Sequence, residues 1–320
     1  MSKLVAVTDT VFPTLEPAKE ALAVVDAELV LASEPTPEAI LEVAAEADAL
    51  LVTYAKITAE VIAGLKNCKA IGRFGIGTDN IDIPAATAAG IVVTYAPAYC
   101  LDEVSDHAMA LLLTLARKTA MANALVHAGR WEMPAVVPIH RLRGQTLGLV
   151  GLGNIPQKIV PKAQAFGIEV IASDPYAPDE VFSRLGVRRV DFDELLATSD
   201  FVSVHAPLTP ETAGMFNAAA FARMKPNALL VNTARGPLVN VEDLADALEA
   251  GQIAGAGLDV LPVEPPPAGL RLIGRDDVIL TPHTGFYSED ALLDLQTTVA
   301  TDVATVLNGG TPRFPVRPPA

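Results

Sequence analysis

Short apolar runs rich in β-branched residues alternate with Ala/Leu/Glu-rich stretches along the whole chain, and that alternation limits its folds more than any other feature. A strand that is always followed by a helix builds βαβ units, whose crossovers give parallel sheets with helices packed on their faces. In the first hundred residues the runs are Leu4–Thr8, Glu28–Leu31, Ala49–Thr53, Ala70–Arg73 and Ile91–Thr94, separated by helical segments near 16–26, 37–46 and 58–65. They predict a flavodoxin-like α/β domain. One long helix is then expected from about Leu101 to about His127, with Asp102 and Glu103 in its first turn and Gly129 as its stop. The pattern restarts at Thr146–Val150, Glu169–Ser173, Phe201–Val204, Leu229–Asn232, Ala254–Leu258 and Val278–Leu280, six strands for a second parallel sheet. A last helix over about Glu289–Leu307 precedes Gly309-Gly310 and a proline-rich end read as an irregular tail. The expected architecture is α/β: two Rossmann-like lobes with a cleft between them.

Composition narrows the function classes. With 51% hydrophobic and 19% charged residues over 320 positions, the chain has enough apolar surface for a folded core. Its net charge of −15 is spread along the length, and no basic stripe exceeds pairs such as Arg188-Arg189, so direct binding to nucleic acid or anionic membrane is not expected. Cys68 and Cys100 show no metal-ligand or disulfide spacing, and no metal is expected. The opening MSKLVAV lacks a signal-peptide pattern, and no run approaches the roughly 18 apolar residues of a membrane span. The compartment expected from these features is the cytoplasm.

The second half opens with a strand that leads into Gly151-Leu152-Gly153-Asn154-Ile155-Pro156, then a helical run, a second strand and Asp174. Gly151 permits a tight turn, and Gly153 lets backbone approach a pyrophosphate whose charge the helix start stabilises through the N–H groups around Asn154 and Ile155. Asp174 lies 21 residues beyond Gly153, where a carboxylate accepts the ribose hydroxyls of NAD and repels the 2′-phosphate of NADP. The third glycine of the fingerprint is replaced by Pro156, which is tolerated near a helix start; Pro161, further in, is expected to kink the axis. On this basis residues 101–288 are assigned as the doubly wound NAD-binding domain, and residues 1–100 with 289–320 as the substrate domain.

Other strand ends deliver polar groups to the same sheet edge, where doubly wound folds bind ligands. They bring His205, Pro207 and Thr212 after one strand, Thr233-Ala234-Arg235 after the next, then Asp259 and Glu264, and finally Thr281-Pro282-His283. Reduction of a 2-oxo acid needs a cation for the carboxylate and carbonyl oxygen, and an acid to protonate the new alkoxide. Arg235 and His283 fit those roles. Glu264 bonded to the His283 ring would orient the imidazole and favour its protonated form.

With these motifs, and with Arg73-Phe74-Gly75-Ile76-Gly77-Thr78-Asp79-Asn80-Ile81-Asp82, the Pro207-Leu208-Thr209 loop, Asn232-Thr233-Ala234-Arg235-Gly236, Leu258-Asp259-Val260 and Pro282-His283-Thr284 in order, the chain resembles the D-isomer-specific 2-hydroxyacid dehydrogenases over essentially its whole length. The resemblance implies that Arg235 binds and polarises substrate, that Glu264 supports the base, and that His283 donates or accepts the proton. It also implies that backbone around Gly75, Ile76 and Gly77 holds the substrate carboxylate and that Asp259 contacts the nicotinamide carboxamide. Gly285 joins the cofactor set by the same resemblance, and Phe286 lines the substrate pocket. The segments 97–104, 139–144 and 283–288 resemble the branch related to C-terminal-binding proteins, whose eukaryotic members are NAD(H)-binding corepressors. An NAD(H)-sensing interaction protein is therefore the alternative to a dehydrogenase.

Lys56 and Arg73, near strand ends in the first lobe, are candidates for a second anion contact; Lys56 enters the substrate-binding set. His107, His127 and His140 end no strand and are read as core or solvated residues. The stripe of Met109, Leu112, Leu113, Leu115 and Ala116 is read as packing, and by resemblance its helix contributes to a homodimer.

Overall fold

The computed structural model describes residues 2–317. They form two compact units, one from the residues up to Tyr99 with those from Ser288 on, the other Cys100–Tyr287. The expectation of two parallel α/β sheets is met. In the first unit β1 (Lys3–Val7), α1 (Glu16–Leu22), β2 (Ala27–Leu31), α2 (Pro37–Ala44), β3 (Ala49–Val52), α3 (Ala59–Ala63), β4 (Ala70–Arg73), α4 (Ile83–Ala88) and β5 (Val92–Tyr95) build a sheet of order β2-β1-β3-β4-β5.

The second unit begins with α5 (Leu101–Arg117) and α6 (Thr119–His127). It continues with β6 (Thr146–Val150), α7 (Asn154–Ala165), β7 (Glu169–Ser173), α8 (Asp179–Leu185), β8 (Arg188–Arg189), α9 (Phe192–Thr198), β9 (Phe201–Val204), α10 (Ala218–Phe221), β10 (Leu229–Asn232), α11 (Val241–Glu249), β11 (Gly255–Leu258) and β12 (Val278–Leu280). Its sheet order is β12-β11-β10-β9-β6-β7-β8, so the chain reverses direction across the sheet between β6 and β9. Such a switch point leaves a crevice at the carboxyl ends of its strands. The first unit is completed by α12 (Glu289–Leu307), which packs on α1, β4 and β5.

Strands buried on both faces read as unbroken apolar runs, which is why β9 (FVSV) and β10 (LLVN) were legible. Alternate residues face opposite layers: Val202, Val204 and Leu230 join Phe216, Phe221 and Leu244, while Phe201, Leu229 and Val231 join Leu111, Leu112 and Ile159.

Three expectations need correction. The single helix from Leu101 to His127 is two helices, bent by 62° at Lys118, which adopts φ 51°. The physical reason is burial: α5 buries Leu111, Leu112 and Leu115, whereas α6 buries no residue, so nothing holds the axis straight past the sheet. No single helix among the described residues is long and apolar enough to cross a membrane. The second sheet has seven strands, not six, because the exposed pair Arg188-Arg189 forms the edge strand β8 beside β7. A charged edge strand carries no apolar period to read. The proline-rich tail is irregular as expected, yet it is tied to β5: Pro315 bridges Thr94, the Val316 N–H donates to Val93 O at 2.8 Å, and the Tyr95 N–H donates to Phe314 O. Buried Asp302 of α12 anchors it, accepting from the amides of Arg313 and Phe314. Residues 318–320 lie outside the described residues. Finally, α4 is a helix absent from the expected set. Helix α7 runs on through Pro161 to Ala165.

Candidate active site

The carboxyl end of β6 turns at Gly151, whose φ of +96° suits only glycine, and a Cβ there would lie 2.9 Å from His205 O. Gly153 is different. It caps α7 with an ordinary φ of −70°, and a Cβ would find no atom within 4 Å, so the fold itself leaves this space open. The first N–H groups of α7 have no partners within the helix, and Pro156, buried in the first turn, removes none that the helix needs. Asp174 is oriented over this loop: its Oδ2 accepts from the Leu152 N–H at 2.7 Å, and its Oδ1 accepts from the amides of Tyr176 and Ala177. Arg189 braces the turn, donating to Asp174 O and to Asp179, with its guanidinium 4.0 Å from the Phe182 ring centre. At the end of β10 the Thr233 hydroxyl is buried with no partner among the described residues. An open cradle, a helix start, an oriented carboxylate and an orphan hydroxyl along the carboxyl edge of one sheet fit a dinucleotide.

His205 follows β9 with its Nε2 2.8 Å from the Ser203 Oγ, and burial pushes its imidazole down to about 3, so it is neutral near pH 7. Thr212 is spent on its own loop: its hydroxyl donates to Pro207 O at 2.7 Å and accepts from the Thr209 N–H at 2.8 Å.

Glu264 and His283 meet. His283 Nδ1 lies 2.7 Å from Glu264 Oε2, while Glu264 Oε1 accepts from the Leu261 N–H at 2.8 Å. Burial alone would raise the Glu264 carboxyl, but the hydrogen bonds from His283 and the Leu261 amide outweigh it and hold the group below its ordinary value. An ionised carboxylate only accepts, so Nδ1 carries a proton and proton exchange falls to Nε2. Phe286 stands edge-on to the imidazole, with ring centres 6.1 Å apart.

Arg235, half-buried, sits on a turn in which Asn232 Nδ2 donates to Arg235 O and Asn232 Oδ1 accepts from the Ala234 N–H. The next residue joins this turn to the Glu264 loop, because a Cβ on Gly236 would fall 2.0 Å from the Leu261 carbonyl carbon.

Asp259 is 3% exposed and takes four donors. Oδ1 accepts from Thr281 Oγ1 (2.6 Å), from the Thr284 N–H (2.9 Å) and from His107 Nε2 (3.3 Å), and Oδ2 accepts from the Gly285 N–H (2.8 Å). Burial would push its carboxyl up, but these bonds hold it down at about 2. Gly285 must lack a side chain, since a Cβ would stand 2.8 Å from Asp259 Oδ2.

Gly75, Ile76, Gly77 and Lys56 belong to the first unit. There Arg73 shapes the glycine loop: its Nη1 donates to Phe74 O, and a Cβ on Gly75 would lie 1.1 Å from that nitrogen. The Gly75 N–H donates to Arg73 O, and Lys56 is exposed beyond β3. Thr281 stood among the strand-end polar groups without a role and His107 was read as core or solvated; both meet Asp259. The signal for His107 was its place between Val104 and Leu111 on the buried face of α5, where a solvated histidine does not belong.

The fold and these groups define an α/β dinucleotide-binding protein with an acid–imidazole pair and an arginine at the switch-point edge. Residues 109–285 match the NAD binding domain of the D-isomer specific 2-hydroxyacid dehydrogenases. The chain is 41% identical over 262 residues to D-3-phosphoglycerate dehydrogenase of Archaeoglobus fulgidus, covering 82% of this chain and 49% of that protein. A Thermus thermophilus protein of known structure superposes with a TM-score of 0.88 at 35% identity, covering 98% of this chain and 100% of the other. D-Lactate dehydrogenase of Aquifex aeolicus, complexed with NAD and lactic acid, gives a TM-score of 0.88 at 27% identity over 96% of each chain. The chain belongs to the D-isomer specific 2-hydroxyacid dehydrogenase family. It spans about half the length of the curated relatives it matches.

Proposed function

We propose that this protein is an NAD-dependent oxidoreductase that interconverts a small D-2-hydroxy acid and its 2-oxo acid. The observation that carries the reading is the Glu264–His283 pair, tied at 2.7 Å on the same sheet edge as Arg235 and the Gly151–Gly153 loop. Gly151, Gly153, Asn154, Ile155 and Asp174 would hold the dinucleotide, with His205, Pro207, Thr212, Thr233, Ala234, Asp259 and Gly285 completing its surroundings. The cofactor supplies the hydride acceptor or donor. His283 delivers a proton from Nε2 to the substrate oxygen, or removes it in the reverse direction, while Glu264 keeps Nδ1 protonated and the ring fixed. Arg235 supplies the positive charge that draws a carboxylate to an acidic protein and stabilises negative charge on the reacting oxygen. Gly75, Ile76, Gly77, Lys56 and Phe286 are proposed as further substrate contacts.

The relatives named D-3-phosphoglycerate dehydrogenase put 3-phosphohydroxypyruvate first among substrates to try, ahead of hydroxypyruvate, glyoxylate and bulkier 2-oxo acids. Dehydrogenase relatives favour this reading over an NAD(H)-sensing interaction protein. We propose the homodimer by the same resemblance, and the cytoplasm as the compartment; the free thiols of Cys68 and Cys100 suit reducing conditions. The test is NADH oxidation at 340 nm across that panel, with NADPH in parallel and His283→Ala as control. Turnover with NADH that falls by about 100-fold or more in the variant supports the assignment. NADH binding without turnover on any member would return the interaction-protein reading.

A further inference from the structure

His283 adopts φ 53°, in the left-handed region that is costly for a residue with a side chain and persists only where neighbours over-determine it. Its neighbours do so through one aspartate. The His283 N–H donates to Asp259 O at 2.8 Å and to Thr281 O at 3.0 Å, and the next two amides, of Thr284 and Gly285, donate to the two carboxylate oxygens of Asp259. Three consecutive residues thus hang on Asp259, and the ring that must point at substrate is aimed by this turn. A buried carboxylate of this kind stays in place only if something orients it from behind.

That role falls to α5. His107 Nε2 lies 2.9 Å from Thr281 Oγ1 and 3.3 Å from Asp259 Oδ1. The Thr281 hydroxyl donates to Asp259, so it accepts from His107, and Nε2 of His107 carries the proton. The imidazole also closes the far side of the turn, 3.4 Å from where a Cβ on Gly285 would stand. We propose that His107 is a positioning residue which, through Thr281 and Asp259, locks the left-handed turn that aims the His283 imidazole. The proposal rests on the reading of His283 as the proton donor, which the Glu264 contact supports independently.

The test compares His107→Leu, which keeps volume and removes the donor, with His107→Gln, whose side-chain amide restores one at similar reach. Both are made in the full chain. With NADH and the best 2-oxo acid of the panel, His107→Leu is expected to lower kcat by about 10- to 100-fold, as small misplacements of a catalytic group do. KM for the 2-oxo acid should move by less than about twofold, because a positioning residue behind the turn does not touch the substrate. His107→Gln should recover most of the lost kcat. The readout that needs no turnover is the imidazole ¹⁵N spectrum, tractable with five histidines in the chain. The His283 nitrogens should show the Nδ1-protonated tautomer in the native protein and in His107→Gln, and shift toward tautomer averaging in His107→Leu. Thr281→Val breaks the same relay without touching α5 and carries the same expectation if His107→Leu fails to fold. Unchanged kcat and unchanged His283 nitrogens in His107→Leu, or in Thr281→Val, would overturn the proposal. A loss of kcat that His107→Gln shares while the His283 nitrogens stay put would overturn it too. If the native protein reduces no 2-oxo acid, the proposed reaction fails while the spectra still decide whether His107 orders His283.

Discussion

At the carboxyl ends of the seven-stranded sheet the strands run out into Gly151, Asp174, His205, Thr233 and Asp259, whereas at the amino ends one residue, Asp200, ties three strands together. Its Oδ2 accepts from the Thr146 N–H at 2.9 Å, its Oδ1 accepts from Lys225 Nζ at 2.9 Å, and its backbone pairs with Thr146 and Leu229 at the starts of β6 and β10. The Asp200 carboxylate is satisfied by the fold itself, although the neighbouring Ser199 hydroxyl is buried with no partner among the described residues. The carboxyl end holds what the fold does not need: a histidine at φ 53° and an open space over Gly153. A left-handed histidine marks the end of the sheet proposed to bind and react. Order and strain are divided between two edges of one sheet.

The sharpest way to break this contrast is at Glu264. Glu264→Gln keeps shape and loses the charge opposite Nδ1, so kcat should fall by about 100-fold while the urea midpoint stays the same; a parallel fall in both would make Glu264 structural. Asp200→Ala tests the opposite edge. It strands the Thr146 amide and Lys225, and should cost about 2 kcal/mol in urea unfolding with kcat unaltered. Burial also makes His205 a pH probe of the carboxyl edge. Its imidazole is held at about 3 against an ordinary 6.5, so the unfolded chain binds the proton first. The contribution is complete above about pH 7 and is lost as pH falls from 6.5 toward 3, about 1 to 2 kcal/mol by pH 5. His205→Asn should flatten unfolding free energy over the upper part of that window, which lies above the carboxylate range and so isolates the histidine. The smallest effect sharpens the comparison. Gly153→Ala meets no neighbour and should leave stability within about 0.5 kcal/mol, while NADH affinity drops by about tenfold because the methyl enters the cradle.

Legibility followed the same physics. The strands β6, β7, β9 and β10 were readable to the residue, because burial on both faces enforces apolar β-branched runs. Gly151, Asp174, Arg235 and His283 were readable as candidates because each stands just past such a run, and Glu264 through the family motif it belongs to. Arg188-Arg189 was not, since an edge strand is specified by its neighbour's hydrogen bonds rather than by its own side chains. Lys118 hid the break after α5 because a left-handed non-glycine residue leaves no compositional mark. His107 was passed over for a related reason: its partners Thr281 and Asp259 lie more than 150 positions away, and only the packing of α5 on β11 and β12 unites them.

By itself the sequence determined the alternation of strand and helix, two parallel sheets and the polar residues at their strand ends, because those follow from local periodicity and from where apolar runs end. The tertiary structure alone decided that Asp259 holds the His283 turn, that Arg189 braces Asp174 and that the tail pairs with β5. Hydrogen bonds between residues distant in the chain depend on how elements pack, and no local pattern encodes that packing.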